Sequence, residues 1–183
     1  MKWYKFNINA LTDELYEKYF SLMSRERQEY TSSLLKESDR KRTVAGEMLA
    51  RRLLAEICES TEEGIVLRKD KNGKPYAVGL NVNFSISHSG DFAVCAVDTK
   101  PIGIDIEKSR AVNLKTAYRF CNKNEINYIF ESDKEALPRF FEIWTAKEAA
   151  YKLQGVTDFK KIDTLKLNKQ YYKFDGYITC IIN

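Results

Sequence analysis

Apolar residues recur along this chain in blocks that switch between two periods. Leu15, Tyr19 and Leu22 share one helical face behind Thr12 or Asp13 as an N-cap, which predicts a helix running to about Tyr30. Val44, Met48, Leu49, Leu53 and Ile57 form a second stripe, capped by Ser38 or Asp39 and extending to about Glu59. The pattern then shortens to strands at 65–69, 82–87 and 92–98, with Asp70-Lys71-Asn72-Gly73 and Ser89-Gly90-Asp91 as turns. Met1 to Ile8 reads as an opening strand. After Lys100-Pro101 the sequence predicts a strand at 102–107, then a helix from Asn113 to about Ser132. Pro138 to Leu153 follows as a helix stopped near Gly155, with strands at 164–168, 170–174 and 177–182. Helices and strands segregate in blocks, so the fold class is α+β. Both halves share this order, which divides the chain into units 1–100 and 101–183 packed as one compact body.

Charge adds little. Lys and Arg number 30 against 26 Asp and Glu, a net charge of +4 that permits an anionic partner but does not argue for nucleic acid. Arg25, Arg27, Lys36, Arg40, Lys41, Arg42, Arg51 and Arg52 crowd one stretch that reads as a solvated helix face. The four cysteines form no C-x-x-C pair and the chain has one histidine, which argues against zinc. Cys95 and Cys180 fall in apolar strands and read as buried free thiols. The N-terminal segment has no signal-peptide core and no apolar run reaches membrane-spanning length, so a cytoplasmic location is expected.

Four segments carry candidate chemistry. In Gly103-Ile104-Asp105-Ile106-Glu107, strand alternation puts both carboxylates on one face. They are either two solvated acids or oxygen ligands suited to Mg²⁺. In Trp144-Thr145-Ala146-Lys147-Glu148-Ala149-Ala150-Tyr151-Lys152, Trp144, Glu148 and Lys152 share a helical face. That spacing suits a surface ion pair, or a third carboxylate with lysines for phosphate. Phe84-Ser85-Ile86-Ser87-His88-Ser89-Gly90 ends in the lone histidine, either a turn residue or a phosphate contact. Gly73-Lys74-Pro75 presents a lysine on a turn.

In this order, and with Arg42-Thr43-x-x-Gly46, these segments resemble the surfactin-type 4'-phosphopantetheinyl transferase family from about Arg42 to Gly155. The resemblance implies two similar α+β lobes related by a pseudo-twofold, with coenzyme A between them. It implies Asp105, Glu107 and Glu148 as ligands of Mg²⁺, with Mn²⁺ as a substitute. Glu148 and Lys152 are the implied catalytic residues, Glu148 as base and Lys152 at the phosphate of the scissile bond. Arg42, Lys74, Ser87 and His88 are implied for the adenine nucleotide and its 3'-phosphate, and Lys147 as a further coenzyme A contact. The implied reaction moves phosphopantetheine from coenzyme A to a serine of an apo acyl or peptidyl carrier protein by a monomeric enzyme. Residues 114–130 offer apolar side chains either to the core or to that carrier. The chain departs from the family at Gln154-Gly155-Val156-Thr157, where relatives often carry a glycine-lysine-glycine run.

Three rivals remain at this level. A trimeric fatty-acid-type holo-acyl-carrier-protein synthase performs the same chemistry. A metal-dependent nuclease typically has acid-x-lysine on one strand face, whereas Lys108 follows Glu107 directly and points the other way. A non-catalytic coenzyme A binding module does not need three acids beside a polyanion.

Overall fold

The computed structural model describes residues 1–71, 73–155 and 158–183. It separates into two compact units, Met1–Ile102 and Gly103–Asn183. The first unit begins with strand β1 (Lys2–Asn7), followed by helices α1 (Asp13–Leu22), α2 (Arg25–Ser33) and α3 (Glu37–Ile57). A short ribbon of β2 (Leu67–Lys69) and β3 (Pro75–Ala77) precedes the hairpin of β4 (Asn83–Ser89) and β5 (Phe92–Asp98). The antiparallel sheet has the order β1-β5-β4, so the last strand lies in the middle. Helix α3 covers it, burying Ala45, Leu49 and Leu53 against Phe84, Cys95 and Val97.

The second unit repeats this plan. Strand β6 (Gly103–Lys108) comes first, then helices α4 (Lys123–Phe130) and α5 (Ala136–Gln154), then the hairpin of β7 (Lys169–Phe174) and β8 (Tyr177–Ile182). Its sheet order is β6-β8-β7, again antiparallel with the last strand central. Both units are therefore strand, helices, hairpin, with one connectivity. The α+β class and the likeness of the halves follow from the hydrophobic blocks as expected.

Boundaries differ in places, each for a local reason. The expected helix 12–30 is two helices. Ser24 caps the second, accepting a hydrogen bond from Arg27 N, while the Gln28 amide donates to the carbonyls of Phe20, Ser21 and Met23 that end the first. Helix α3 starts at Glu37, ahead of the expected caps, and Lys36 supplies no side-chain cap. Helix 113–132 is instead a 3₁₀ turn, Leu114–Arg119, followed by α4. The break falls at Asn122, which forms a reciprocal capping box with Glu125. The expected strand 164–168 is a 3₁₀ turn over Thr164–Lys166, because the Glu125 carboxylate takes the Thr164 N–H and hydroxyl. Helix α5 does stop at Gly155, in the left-handed conformation at φ +69°.

The basic stretch is not one solvated face. Arg25 is exposed, but Arg51 is buried. It pairs with buried Glu47 at 2.9 Å and donates to the carbonyls of Leu22 (2.6 Å), Glu62 (3.0 Å) and Ile65, holding α1 and the 62–65 segment to α3. Cys95, Cys121 and Cys180 are buried, and none of the four cysteines is in a disulfide. Among the described residues, no helix is long and apolar enough to cross a membrane.

Candidate active site

Strand β6 and helix α5 run against each other in the second unit. Three pairs define their register: Gly103 lies under Ala149 and Leu153, Asp105 meets Lys152, and Glu107 meets Trp144. The strand thus ascends as the helix descends, and Trp144, Glu148 and Lys152, spaced by four, present one helical face to the acids. The approach is close because the helix is lined by Ala146, Ala149 and Ala150 and the strand opens with glycine. A Cβ on Gly103 would stand 2.0 Å from the Ala149 carbonyl oxygen. The resulting spacing suits short reach between a strand carboxylate and a helix side chain.

Within this frame the Lys152 ammonium sits 2.6 Å from Asp105 Oδ1, and Asp105 is only 4% exposed. The indole N–H of Trp144 donates to Glu107 Oε1 at 2.8 Å, with the ring held edge-on against Phe120 and tilted against Phe159. Glu148 is half-buried between them. Burial pushes its carboxyl above the ordinary glutamate value, and the charges of Asp105 and Glu107 add to this, opposed by Lys152. Three carboxylates and one ammonium thus share one electrostatic neighbourhood.

As a donor set these acids fit a hard divalent cation: all oxygen, with up to three negative charges. Among the described residues, no three acid, histidine or cysteine side chains converge closely enough to enclose an ion. Mg²⁺ does not require such a cage. It keeps several waters, takes one or two carboxylates and completes its shell with substrate phosphate. The chemistry this arrangement suits is therefore handling of a phosphate ester beside a hydrated cation.

Lys147 has a different place from that implied by the resemblance. It is fully buried, ion-paired with equally buried Glu125 at 2.7 Å, and it donates to the carbonyls of Phe159 (2.6 Å) and Ile162. All three of its donors are spent inside the protein, so it is not available as a coenzyme A contact.

The first unit gathers the other residues. On α3, Gly46 packs on Ile86 of β4, where an added Cβ would lie 2.9 Å from Ile86 Cγ2. One turn earlier, Arg42 donates to the Gly90 carbonyl at 2.6 Å, at the end of β4, and pairs with Asp39. The Arg42 hydrogen bond holds the Asp39 carboxyl below its usual value, and His88 contributes in the same direction, so Arg42 and His88 share one corner. Ser87 is buried on β4 and His88, next along, is exposed, as alternation requires. Lys74 is half-buried after a turn in which Asp70 Oδ1 accepts its N–H at 2.9 Å and Gly73 takes φ +81°. Asn72 of that turn, and Val156 and Thr157 of the departing family segment, lie outside the described residues.

Spacing put Trp144 on the face of Glu148 and Lys152 but gave it no role; it orients Glu107. One residue escaped sequence reasoning altogether. Glu125 neutralises Lys147, and the Asn122-x-x-Glu125 spacing that built its helix cap was visible.

Comparison with known proteins identifies the family. Residues 10–100 match the family described as 4'-phosphopantetheinyl transferase, N-terminal, and residues 101–175 match the 4'-phosphopantetheinyl transferase superfamily. The chain is 31% identical over 162 residues to the 4'-phosphopantetheinyl transferase gsp of Aneurinibacillus migulanus, covering 88% of this chain and 68% of that protein. It is 34% identical over 147 residues to the 4'-phosphopantetheinyl transferase Sfp of Bacillus subtilis strain 168, covering 79% and 66%. A crystal structure of a holo-(acyl-carrier-protein) synthase from Bacillus anthracis, in complex with CoA (3',5'-ADP), aligns with TM-score 0.43 at 25% identity over 52% of this chain and 90% of that one. The chain belongs to the 4'-phosphopantetheinyl transferase family, and the aligned segments span about two thirds of the lengths of these two transferases.

Proposed function

We propose that this protein is a Mg²⁺-dependent 4'-phosphopantetheinyl transferase that moves phosphopantetheine from coenzyme A to a serine of an apo acyl or peptidyl carrier protein. The observation that carries the reading is the meeting of Asp105, Glu107, Glu148 and Lys152 on β6 and α5, in a chain of this family. Asp105, Glu107 and Glu148 would hold the cation, Mg²⁺ or Mn²⁺, directly or through its waters. When bound, it supplies charge neutralisation at the pyrophosphate and orients the phosphorus.

The residues of the chain divide the remaining work. Arg42, Lys74, Ser87 and His88 hold the nucleotide and its 3'-phosphate, where Arg42 offers a planar fork and Lys74 a point charge. The serine hydroxyl attacks the pyrophosphate phosphorus that carries the pantetheine arm. A new P–O bond forms, the bond to 3',5'-ADP breaks, and the serine proton passes to Glu148. A raised carboxyl suits that role, since proton affinity nearer the working pH makes a better base. Lys152, close to Asp105, reaches the phosphate and stabilises the departing 3',5'-ADP oxygen. The net charge of +4 favours encounter with acidic carriers. The enzyme acts as a monomer, and a reducing cytoplasm suits its four free cysteines.

The test is intact-mass measurement of apo carrier proteins after incubation with coenzyme A and Mg²⁺. The expected gain is one phosphopantetheine, abolished by EDTA and by Asp105→Ala. Coenzyme A binding without any gain, across acyl and peptidyl carriers, would instead indicate a binding module. A trimer in solution would favour the fatty-acid-type synthase.

A further inference from the structure

The buried Lys147–Glu125 pair has no place in the reaction just described, yet it is complete in an unusual degree. Lys147 spends its three donors on Glu125, the Phe159 carbonyl and the Ile162 carbonyl. Glu125 accepts from Lys147, from Asn122 N (2.9 Å), from Thr164 N (2.9 Å) and from Thr164 Oγ1 (2.6 Å), which fills the capacity of a carboxylate. Both side chains are 0% exposed. A buried charge pair is weak evidence of stabilisation, since a well-packed apolar pair of the same volume often does as well. What an apolar pair cannot do is fix the carbonyls of Phe159 and Ile162 in place.

That geometry leads to the acids. With its backbone held by Lys147, Phe159 sets its ring at a tilt against Trp144 and Tyr151, at 5.9 Å between centroids in each case. Phe120 closes on Trp144 from 4.8 Å. Between these two rings the indole N–H of Trp144 is aimed at Glu107 Oε1. Lys147 and Trp144, three residues apart on α5, are helical neighbours, and Phe159 joins them a second time, its carbonyl taking Lys147 and its ring meeting Trp144.

We propose that Lys147 is a positioning residue for the transferase reaction, acting through Phe159 and Trp144 to fix the Glu107 carboxylate. The inference rests on the proposed function for its catalytic consequence. The partner that touches such a carboxylate, here Trp144, typically carries 10–100-fold of metal affinity or activity, and that range bounds what Lys147 contributes through it.

The experiment uses the full chain with Trp3→Phe, which leaves Trp144 as the single tryptophan. Two variants break the chain at different links: Lys147→Met with Glu125→Gln, which removes both charges together, and Phe159→Leu, which leaves the ion pair untouched. Ile8→Val, a buried change in the first unit's core, serves as a packing control. Trp144 emission, the Mn²⁺ concentration for half-maximal carrier modification, and kcat at saturating metal are measured for each. Both variants are expected to shift Trp144 emission to the red and raise the Mn²⁺ requirement about tenfold, with kcat recovering in excess metal. Ile8→Val is expected to move neither quantity. Wild-type emission and metal requirement in the two variants, at whatever melting temperature, would overturn the proposal and leave Lys147 a fold residue only. If the doubly changed variant does not fold, Phe159→Leu decides alone. If the unaltered protein modifies no carrier at any metal concentration, it is the transferase reading that falls, and the Trp144 emission still reports the link from Lys147.

Discussion

Replacing Gly103 by alanine adds one methyl group at the point where β6 and α5 are closest. The added Cβ would lie 2.0 Å from the Ala149 carbonyl oxygen and 3.0 Å from Leu153 N, whereas ordinary contact begins at 3.4 Å, so strand and helix must separate by about 1.4 Å. Backbone atoms obstruct on the helix side, so no rotamer change relieves the clash, and Ala149→Gly does not rescue it. Overpacking of this kind costs about 1–3 kcal/mol, which for a chain of this size lowers Tm by roughly 2–12 °C. Function suffers more. Asp105 and Glu107 ride on the strand, Glu148 and Lys152 on the helix, and a misplacement of about 1 Å costs on the order of 10²-fold in rate. Circular dichroism melts and intact-mass assays of carrier modification at a temperature where the variant is folded would measure both effects. Gly46→Ala is the contrast, since its Cβ would meet only the Ile86 Cγ2 methyl, at 2.9 Å, which a small side-chain shift relieves. A Gly103→Ala protein with wild-type Tm and turnover would refute the idea that this glycine sets the spacing of the site.

Two further substitutions test the electrostatics. Because the folded protein raises the Glu148 carboxyl above its unfolded value, folding takes up a proton there, and the ionised form costs stability that grows as pH rises past about 4.3, the ordinary glutamate value. In EDTA, Glu148→Gln should therefore melt above wild type at pH 7, with the gap closing toward pH 4, while carrier modification falls about 10²–10⁴-fold; unchanged turnover would remove Glu148 from the mechanism. Arg51→Met leaves Glu47 buried without its partner and strips the carbonyls of Leu22, Glu62 and Ile65, so urea unfolding should show a loss of about 3–5 kcal/mol.

The sequence carried the period of each element well, because α3, α5 and the inner strands owe their form to local hydrophobic spacing. It carried breaks poorly where a side chain distant in sequence decides the backbone. Glu125 turns 164–166 into a 3₁₀ turn from 39 residues away, and no periodicity reveals that. The acids of β6 and the face of Trp144, Glu148 and Lys152 were legible because spacing alone places them on one side of a strand or helix. Lys147 was misread for a physical reason. A lysine in a motif rich in charge looks solvated, and only its long-range partner shows that it is enclosed.

The connectivity shared by the two units also has a kinetic side. Among the described residues strand β6 pairs only with β8, and Asp105 faces Cys180, 75 positions later. Contacts between residues so far apart form late, since the loop must close before any contact rewards it. On the ribosome, the strand bearing Asp105 and Glu107 therefore waits without its ladder until nearly the whole second unit has emerged. The first unit, whose β1 meets β5 within the first hundred residues, has everything it needs much sooner. Synthesis thus delivers a folded first unit before the second is complete, and the acidic strand gains its partner β8 among the last acts of folding.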